Sequence, residues 1–222
     1  MPKTLEIPFP LLVTDCSCPG IRAGVLGSNG WISYVSKTGE TGAALFDAVK
    51  EVLACAKLGL KDISGFAYCE GPGSTLGIRI NAIAIRTWNA LNSETKPIFG
   101  YKSLEAAICM IRENSGKSGE FAVFSDFRKH AWNGCSTAVS GDYSTIEIVA
   151  ESAIESWPDE RYFIQQRIHS PGKAPGSEVI DYDLEPLGKS APFLELLEKS
   201  DKPTAYLVKK PEFKTWTPER HR

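Results

Sequence analysis

The sequence predicts an α/β protein in which mixed sheets are flanked by helices and one arrangement is begun twice, the second time in shortened form. Three observations carry this. Three short strand-like runs open the chain in succession. They lead into alternating helical and strand-like segments, the pattern that adds parallel strands to an antiparallel meander and covers the sheet with helices. Strand-like runs then restart near Phe121 in the same order.

The opening strands are expected over residues 11–15, 21–26 and 31–35, with Pro19-Gly20 and Ser28-Asn29-Gly30 supplying the turns between them. A helix is expected over 41–58, a strand over 65–69, a glycine-rich turn, a helix over 78–92 and a strand over 97–101. A third helix starts near Ser103, read as its N-cap; with Ala106 three residues on, this makes only half of a capping box. The boundary between halves falls near Lys102, giving lobes 1–102 and 103–222. In the second lobe strands are expected over 121–125, 131–137 and 145–149, a helical start at Glu151 and a strand over 162–165. A Pro- and Gly-rich loop over 170–177 follows, then a helix over 192–199 and a last strand over 205–208.

Composition narrows the class. At 222 residues the chain can bury a core without disulfide staples, and a formal net charge of −2 excludes a whole-molecule basic field for phosphate backbones. The one basic cluster noted, Lys209, Lys210, Lys214, Arg220 and Arg222 interrupted by Glu212 and Glu219, reads first as a solvated tail and second as a phosphate-contacting arm. No stretch approaches the ~18 apolar residues of a membrane span, and residues 1–10 lack the apolar core of a signal peptide, so a cytoplasmic location without membrane contact is expected. Cys16, Cys18, Cys55, Cys69, Cys109 and Cys135 sit mostly in apolar runs, as buried free thiols do. Cys16 and Cys18 have no second Cys or His pair beside them to complete a zinc site, and no metal is expected.

The two long helices of the first half carry more apolar surface than one core face uses. Over 43–58 the charges Asp47, Lys50, Glu51 and Lys57 fall on a narrow stripe, and Ile78, Ile80, Ile83, Ile85, Trp88 and Leu91 do not share one side. Either the core is thick and the second lobe lies on these helices, or they dock on another chain. The candidate docking set is Leu45, Phe46, Val49, Leu53, Ile80, Ile83, Ala84 and Thr87.

The turn Gly71-Pro72-Gly73-Ser74 followed by Gly77-Ile78-Arg79 joins a strand end to a helix start. Its glycines permit positive φ or close backbone approach, Ser74 or Thr75 can cap the helix, and the turn could cradle a phosphate. It is neither a Walker loop nor a dinucleotide fingerprint. Arg79 faces the positive end of the helix dipole and is expected to pair with Glu70, Asp15 or a carboxylate of another chain.

This run resembles the G-P-G-S-x-x-G-[IL]-R signature of the TsaB (YeaZ) family, often labelled peptidase-like from its relation to the so-called glycoproteases. The resemblance is collinear over nearly the whole chain. Leu12-Val13-Thr14-Asp15 looks like that family's first strand and its acidic end, and residues 97–106 look like its strand into S-L-E-A. Asp126-Phe127-Arg128 with Trp132 resembles its D-A-R hairpin, and residues 205–209 its closing P-x-Y-L-R. Gly39-Glu40-Thr41-Gly42 departs from it by lacking a His, and residues 157–190 match no pattern. The resemblance implies the two-lobed actin-like (ASKHA, ribonuclease H-like) fold. It also implies a non-catalytic scaffold for threonylcarbamoylation of transfer RNA adenosine beside the anticodon. The implied partners are a catalytic TsaD-like paralogue bound through first-lobe helices, a TsaE-like ATPase within the complex, transfer RNA indirectly, and a possible homodimer.

The residues agree on their own terms. His130, His169 and His221 form no His-x-x-x-His metal pair, no second phosphate loop follows in the later lobe, and Pro19 removes an amide from the first hairpin. No catalytic residue and no cofactor is expected. Asp126 and Arg128 read as a hairpin salt bridge before a catalytic pair, and His130 as a surface strand residue. The competing class is an actin-fold enzyme, either an ATP-dependent phosphotransferase or a hydrolase using Ser74.

Overall fold

A computed structural model describes residues 6–206 and 208. Strands β1 (Leu11–Asp15), β2 (Ile21–Gly27) and β3 (Gly30–Lys37) form the expected antiparallel meander. Helix α1 (Thr41–Ala56) follows, then β4 (Gly65–Gly71), α2 (Thr75–Ala90) and β5 (Ile98–Lys102). β4 lies parallel to β1 and β5 parallel to β4. All five residues of β1 are buried, as a central strand covered on both faces requires.

Helix α3 (Ser103–Ser115) leads to the second half, where β6 (Phe121–Arg128), β7 (Ala131–Thr137) and β8 (Glu147–Ala150) repeat the meander. β9 (Arg161–Ile164) lies parallel to β6, and β10 (Glu178–Ile180) parallel to β9. The strand orders, β5-β4-β1-β2-β3 and β10-β9-β6-β7-β8, are therefore the same arrangement twice. The repeat is shortened where expected: a 3-10 turn over Glu151–Ser156 stands in the place of α1, and a loop in the place of α2.

Some of the sequence boundaries move, one for a local reason and others through contacts distant in the chain. α2 starts at Thr75, not at 78, because Ser74 takes the N-cap and its Oγ accepts from the Gly77 amide at 3.3 Å. Ser103 is the first residue of α3, with Lys102 at the cap position; its hydroxyl donates instead to the Pro72 carbonyl at 2.6 Å. The helix expected over 192–199 is only α4 (Ala191–Glu195), after which β11 (Glu198–Lys199) pairs antiparallel with β5 and joins the first sheet. Of the strand expected over 205–208, residues 205, 206 and 208 have no strand geometry and 207 lies outside the described residues. The basic cluster from Lys209 to Arg222 also lies outside them.

The hydrophobic core is layered. α3 is sandwiched between the sheets: Leu104, Ala107, Ile108 and Ile111 pack with Leu11, Val13 and Phe99 from one and Phe121, Val123 and Ile164 from the other. The outer face of the first sheet packs on α1 and α2 through Leu12, Val25, Phe66, Leu45, Val52, Ile85 and Trp88. The outer face of the second carries a smaller cluster around Phe124, Trp132, Val149 and Phe163. The second lobe thus meets the first through α3, on the side away from α1 and α2.

Candidate functional site

The signature turn is bound up with the end of β1. A Cβ on Gly73 would stand 2.4 Å from the Ser17 carbonyl oxygen, and one on Gly77 would stand 2.3 Å from that of Cys16. Both clashes are with backbone, so only glycine lets the turn and the start of α2 press this closely on β1. The Ser74 amide donates to the Ser17 carbonyl at 2.8 Å, and Gly71 adopts φ +116°. The Ser74 and Gly77 amides, two of those a phosphate cradle would leave open, are in use within the chain.

Asp15, at the end of β1, is fully buried and engaged on both oxygens. Oδ1 accepts from the Ser17 amide at 2.7 Å, and Oδ2 accepts from the hydroxyls of Tyr101 at 3.0 Å and Tyr182 at 2.8 Å. Burial beside Asp15 pushes both phenols well above their ordinary range, which keeps them as donors. Arg22 donates to the Tyr182 carbonyl at 2.9 Å, and Tyr34 donates to Asp183 at 2.5 Å. The segment around residue 182 is thereby tied across the first sheet. Cys16 and Cys18 are buried free thiols, Cys18 pushed up to about 12 by burial, and neither is a nucleophile in that state. Among the described residues no group of three or more His, Cys, Asp or Glu could hold a metal ion.

Asp126 forms no ion pair with Arg128. It is 2% exposed; its Oδ2 accepts from the amides of Gln166 at 2.6 Å and Arg167 at 3.1 Å, and its Oδ1 accepts from the Ser170 hydroxyl. Trp132 Nε1 donates to the Gly172 carbonyl at 2.8 Å. These contacts hold the loop after β9. From it the buried Gln166 donates to the Pro72 carbonyl at 2.6 Å and to Ser103 Oγ at 2.9 Å. The D-x-R hairpin therefore braces the signature turn through Gln166. His130 sits in the turn of that hairpin at φ +59°, rather than in a strand, with Nδ1 2.5 Å from Glu151.

Arg79 is exposed and forms no ion pair with Glu70 or Asp15, nor with any other carboxylate among the described residues. Glu70 accepts instead from the Tyr68 hydroxyl at 3.0 Å. Lys102 lies 4.0 Å from Glu105 and 3.9 Å from Glu198, with its ammonium 5.6 Å from the Tyr206 ring centroid. Desolvation raises the pKa of both Glu70 and Glu105, and Glu198 adds like-charge repulsion.

The docking candidates divide cleanly. Leu45, Val49, Leu53 and Ala84 are buried in the chain's own core against the first sheet, and Ile80 is half-buried there, because the strands claim that face of each helix. Phe46 is 53% exposed and Ile83 60%, and Thr87 is exposed with them. The outward surface also presents Leu76 and Leu91, neither of which is in the docking set. Phe46 meets Trp88 edge to face at 5.8 Å, so α1 and α2 are joined at the surface by aromatic contact. Among the described residues the second sheet and its cluster do not pack on this face, while the segment 201–204 lines a groove with Ile83, Thr87 and Leu91 at its edge.

Between the lobes lies a cleft of about 580 Å³ lined by Thr38, Thr41, Ser74, Arg167, Ile168 and His169, among others. Ser74 and His169 share it without a hydrogen bond between them, and Ser74 Oγ is occupied as the cap of α2. Sequence reasoning did not single out Tyr101, Tyr182 or Gln166. Only their spatial convergence on Asp15 and Pro72 reveals them, since each lies 86 or more residues from its partner in the chain.

Residues 42–130 match the family described as TsaD, tRNA N6-adenosine threonylcarbamoyltransferase. No curated protein matches the chain. Among solved structures, an uncharacterized protein with similarity to peptidase YEAZ from Pseudomonas aeruginosa superposes with a TM-score of 0.67 at 16% identity, over 90% of this chain and 99% of that one. YeaZ from Pseudomonas aeruginosa gives a TM-score of 0.64 at 15% identity, over 89% and 98%.

Proposed function

We propose that this chain, which is of the TsaB (YeaZ) type, is a docking platform for a TsaD-like catalytic partner in threonylcarbamoylation of transfer RNA, and does not itself carry out the transfer. The observation that supports this most directly is the outward apolar face of α1 and α2, where Phe46, Leu76 and Ile83 are each more than half exposed and Trp88 links the helices. Exposed apolar side chains clustered on adjacent elements suit a protein partner. A second chain could cover this face without disturbing the core, because the inward stripe of each helix is already occupied. The internal use of Asp15 and of the Ser74 and Gly77 amides fits the same reading, since these groups are satisfied by the chain.

Partner capture tests the proposal. The purified protein should retain a TsaD-like chain from the same organism on an affinity column, and Ile83→Asp should abolish retention while thermal melting stays close to that of the unaltered protein. Retention unaffected by Ile83→Asp would remove this face from the interface. The enzyme readings are separated by titration. ATP turnover by the isolated protein would support a phosphotransferase, and ester hydrolysis lost in Ser74→Ala would support a hydrolase using the cleft that Ser74 shares with His169. The same platform would sit in the cytoplasm, reach a TsaE-like ATPase only through the assembled complex, and pair with a second copy where the catalytic partner is lacking.

A further inference from the structure

The second lobe carries a surface of opposite chemistry to the apolar helix face. The turn between β6 and β7 presents Arg128, Lys129 and His130, all exposed. The loop after β9 presents Arg167, His169 and Lys173, also exposed. These two segments lie on the same end of the second sheet, because β6 and β9 are parallel neighbours with Ser125 opposite Ile164. Asp126 and Trp132 then fasten the loop over the hairpin through Arg167, Ser170 and Gly172. Six cationic or titratable basic side chains are thus gathered on a rigid base.

The acids at this end offset little of that charge. Asp126 is buried and spent on backbone amides, Glu151 is paired with His130, and Glu155 after β8 and Asp181 after β10 are exposed carboxylates. Arg128, Lys129, Arg167 and Lys173 form no ion pair among the described residues. Apolar groups are interleaved with them: Ile168 is 79% exposed, and the guanidinium of Arg128 lies 5.6 Å from the Phe127 ring centroid. Arg167, Ile168 and His169 also line the inter-lobe cleft, into which an unstacked base could turn.

We infer that this crest on the second lobe contacts the sugar-phosphate backbone of single-stranded RNA, as in the loop of a transfer RNA. Guanidinium and ammonium groups neutralise phosphates and release counterions, while exposed apolar and planar groups between them offer surfaces for unpaired bases. A net charge of −2 for the whole chain makes the contact local and weak alone, so it serves to orient RNA already held by a larger assembly. The inference rests on the RNA-modification reading above for the identity of the RNA, but it uses a different face of the molecule.

The test is fluorescence anisotropy of a labelled, unmodified transfer RNA transcript titrated with the full-length protein at several salt concentrations. Binding should weaken steeply with salt. The triple variant Arg128→Gln, Lys129→Gln, Arg167→Gln should bind about tenfold or more weakly, with a salt slope shallower by about 2. Its thermal melting and its capture of a TsaD-like chain should be unchanged, which separates this inference from the docking proposal. Equal RNA binding by the triple variant would overturn it. So would wild-type protein that binds polyglutamate as tightly as the transcript, since the crest would then select acidic protein. Failure of the unaltered protein to capture a TsaD-like chain, with its RNA binding intact, would count against the docking proposal alone.

Discussion

The two lobes share a strand order and differ in what covers their outer faces. In the first, two 16-residue helices lie on the sheet, each with an inward stripe in the core and an outward stripe bearing Phe46 or Ile83. In the second, the equivalent connections have shrunk to a six-residue 3-10 turn and an irregular loop, and the covering cluster is correspondingly small. Helices bring their own backbone hydrogen bonds and can offer an apolar face to a partner. A loop must find its bonds elsewhere, and here a buried carboxylate and an indole provide them. The lobe that kept its helices has a surface suited to protein, and the lobe that lost them has polar, cationic segments in their place.

The comparison is most open to attack where inward and outward positions sit side by side. Leu45→Ala removes a fully buried side chain and should cost about 2–5 kcal/mol in urea denaturation, whereas Phe46→Ala at the adjoining exposed position should cost less than about 1 kcal/mol. Similar costs for both would mean that α1 has no free face. For the second lobe, Asp126→Ala strands the Gln166 amide and frees the loop. A loss of about 3 kcal/mol, with faster amide exchange at residues 166–172, is the expected result. A loop that exchanges no faster would show that Trp132 suffices to hold it.

The smallest effect concerns the acids around Lys102. Glu70 and Glu105 have folded pKa values raised above their unfolded ones, so their contribution favours folding below the ordinary carboxylate range and is lost as pH rises through the folded values. Glu105→Gln should therefore raise the urea midpoint modestly at pH 7, and the gap from wild type should close as pH falls toward 4. A variant that is less stable than wild type at pH 7 would show that the Lys102 contact outweighs the desolvation.

Much of this architecture was legible in the sequence because it is written in local terms. β1 and β7 have the expected bounds, since each is a short run bracketed by turn residues. The restart near Phe121 gave the repeat before any coordinate did. Less was legible where a residue's role is set by something distant. Ser103 has the chemistry of a cap but bonds to Pro72, and Arg79 has the charge for a pair but faces solvent. Half of the docking candidates turned inward because periodicity finds an apolar stripe without saying which of two stripes meets the sheet. The last helix was overextended because 198–199 is recruited by β5, a tertiary demand that no local propensity records.

That recruitment has a consequence for how the polypeptide comes into being. The first sheet would present β5 as a bare edge strand until residues 198–199 arrive, yet β5 ends at Lys102 and the whole second meander is made before them. An emerging chain would expose a pairing template of the kind that invites aggregation while the second half is being made. Stop codons placed just before Glu198 should accordingly give product that accumulates in the insoluble fraction, even though every residue of both meanders is present.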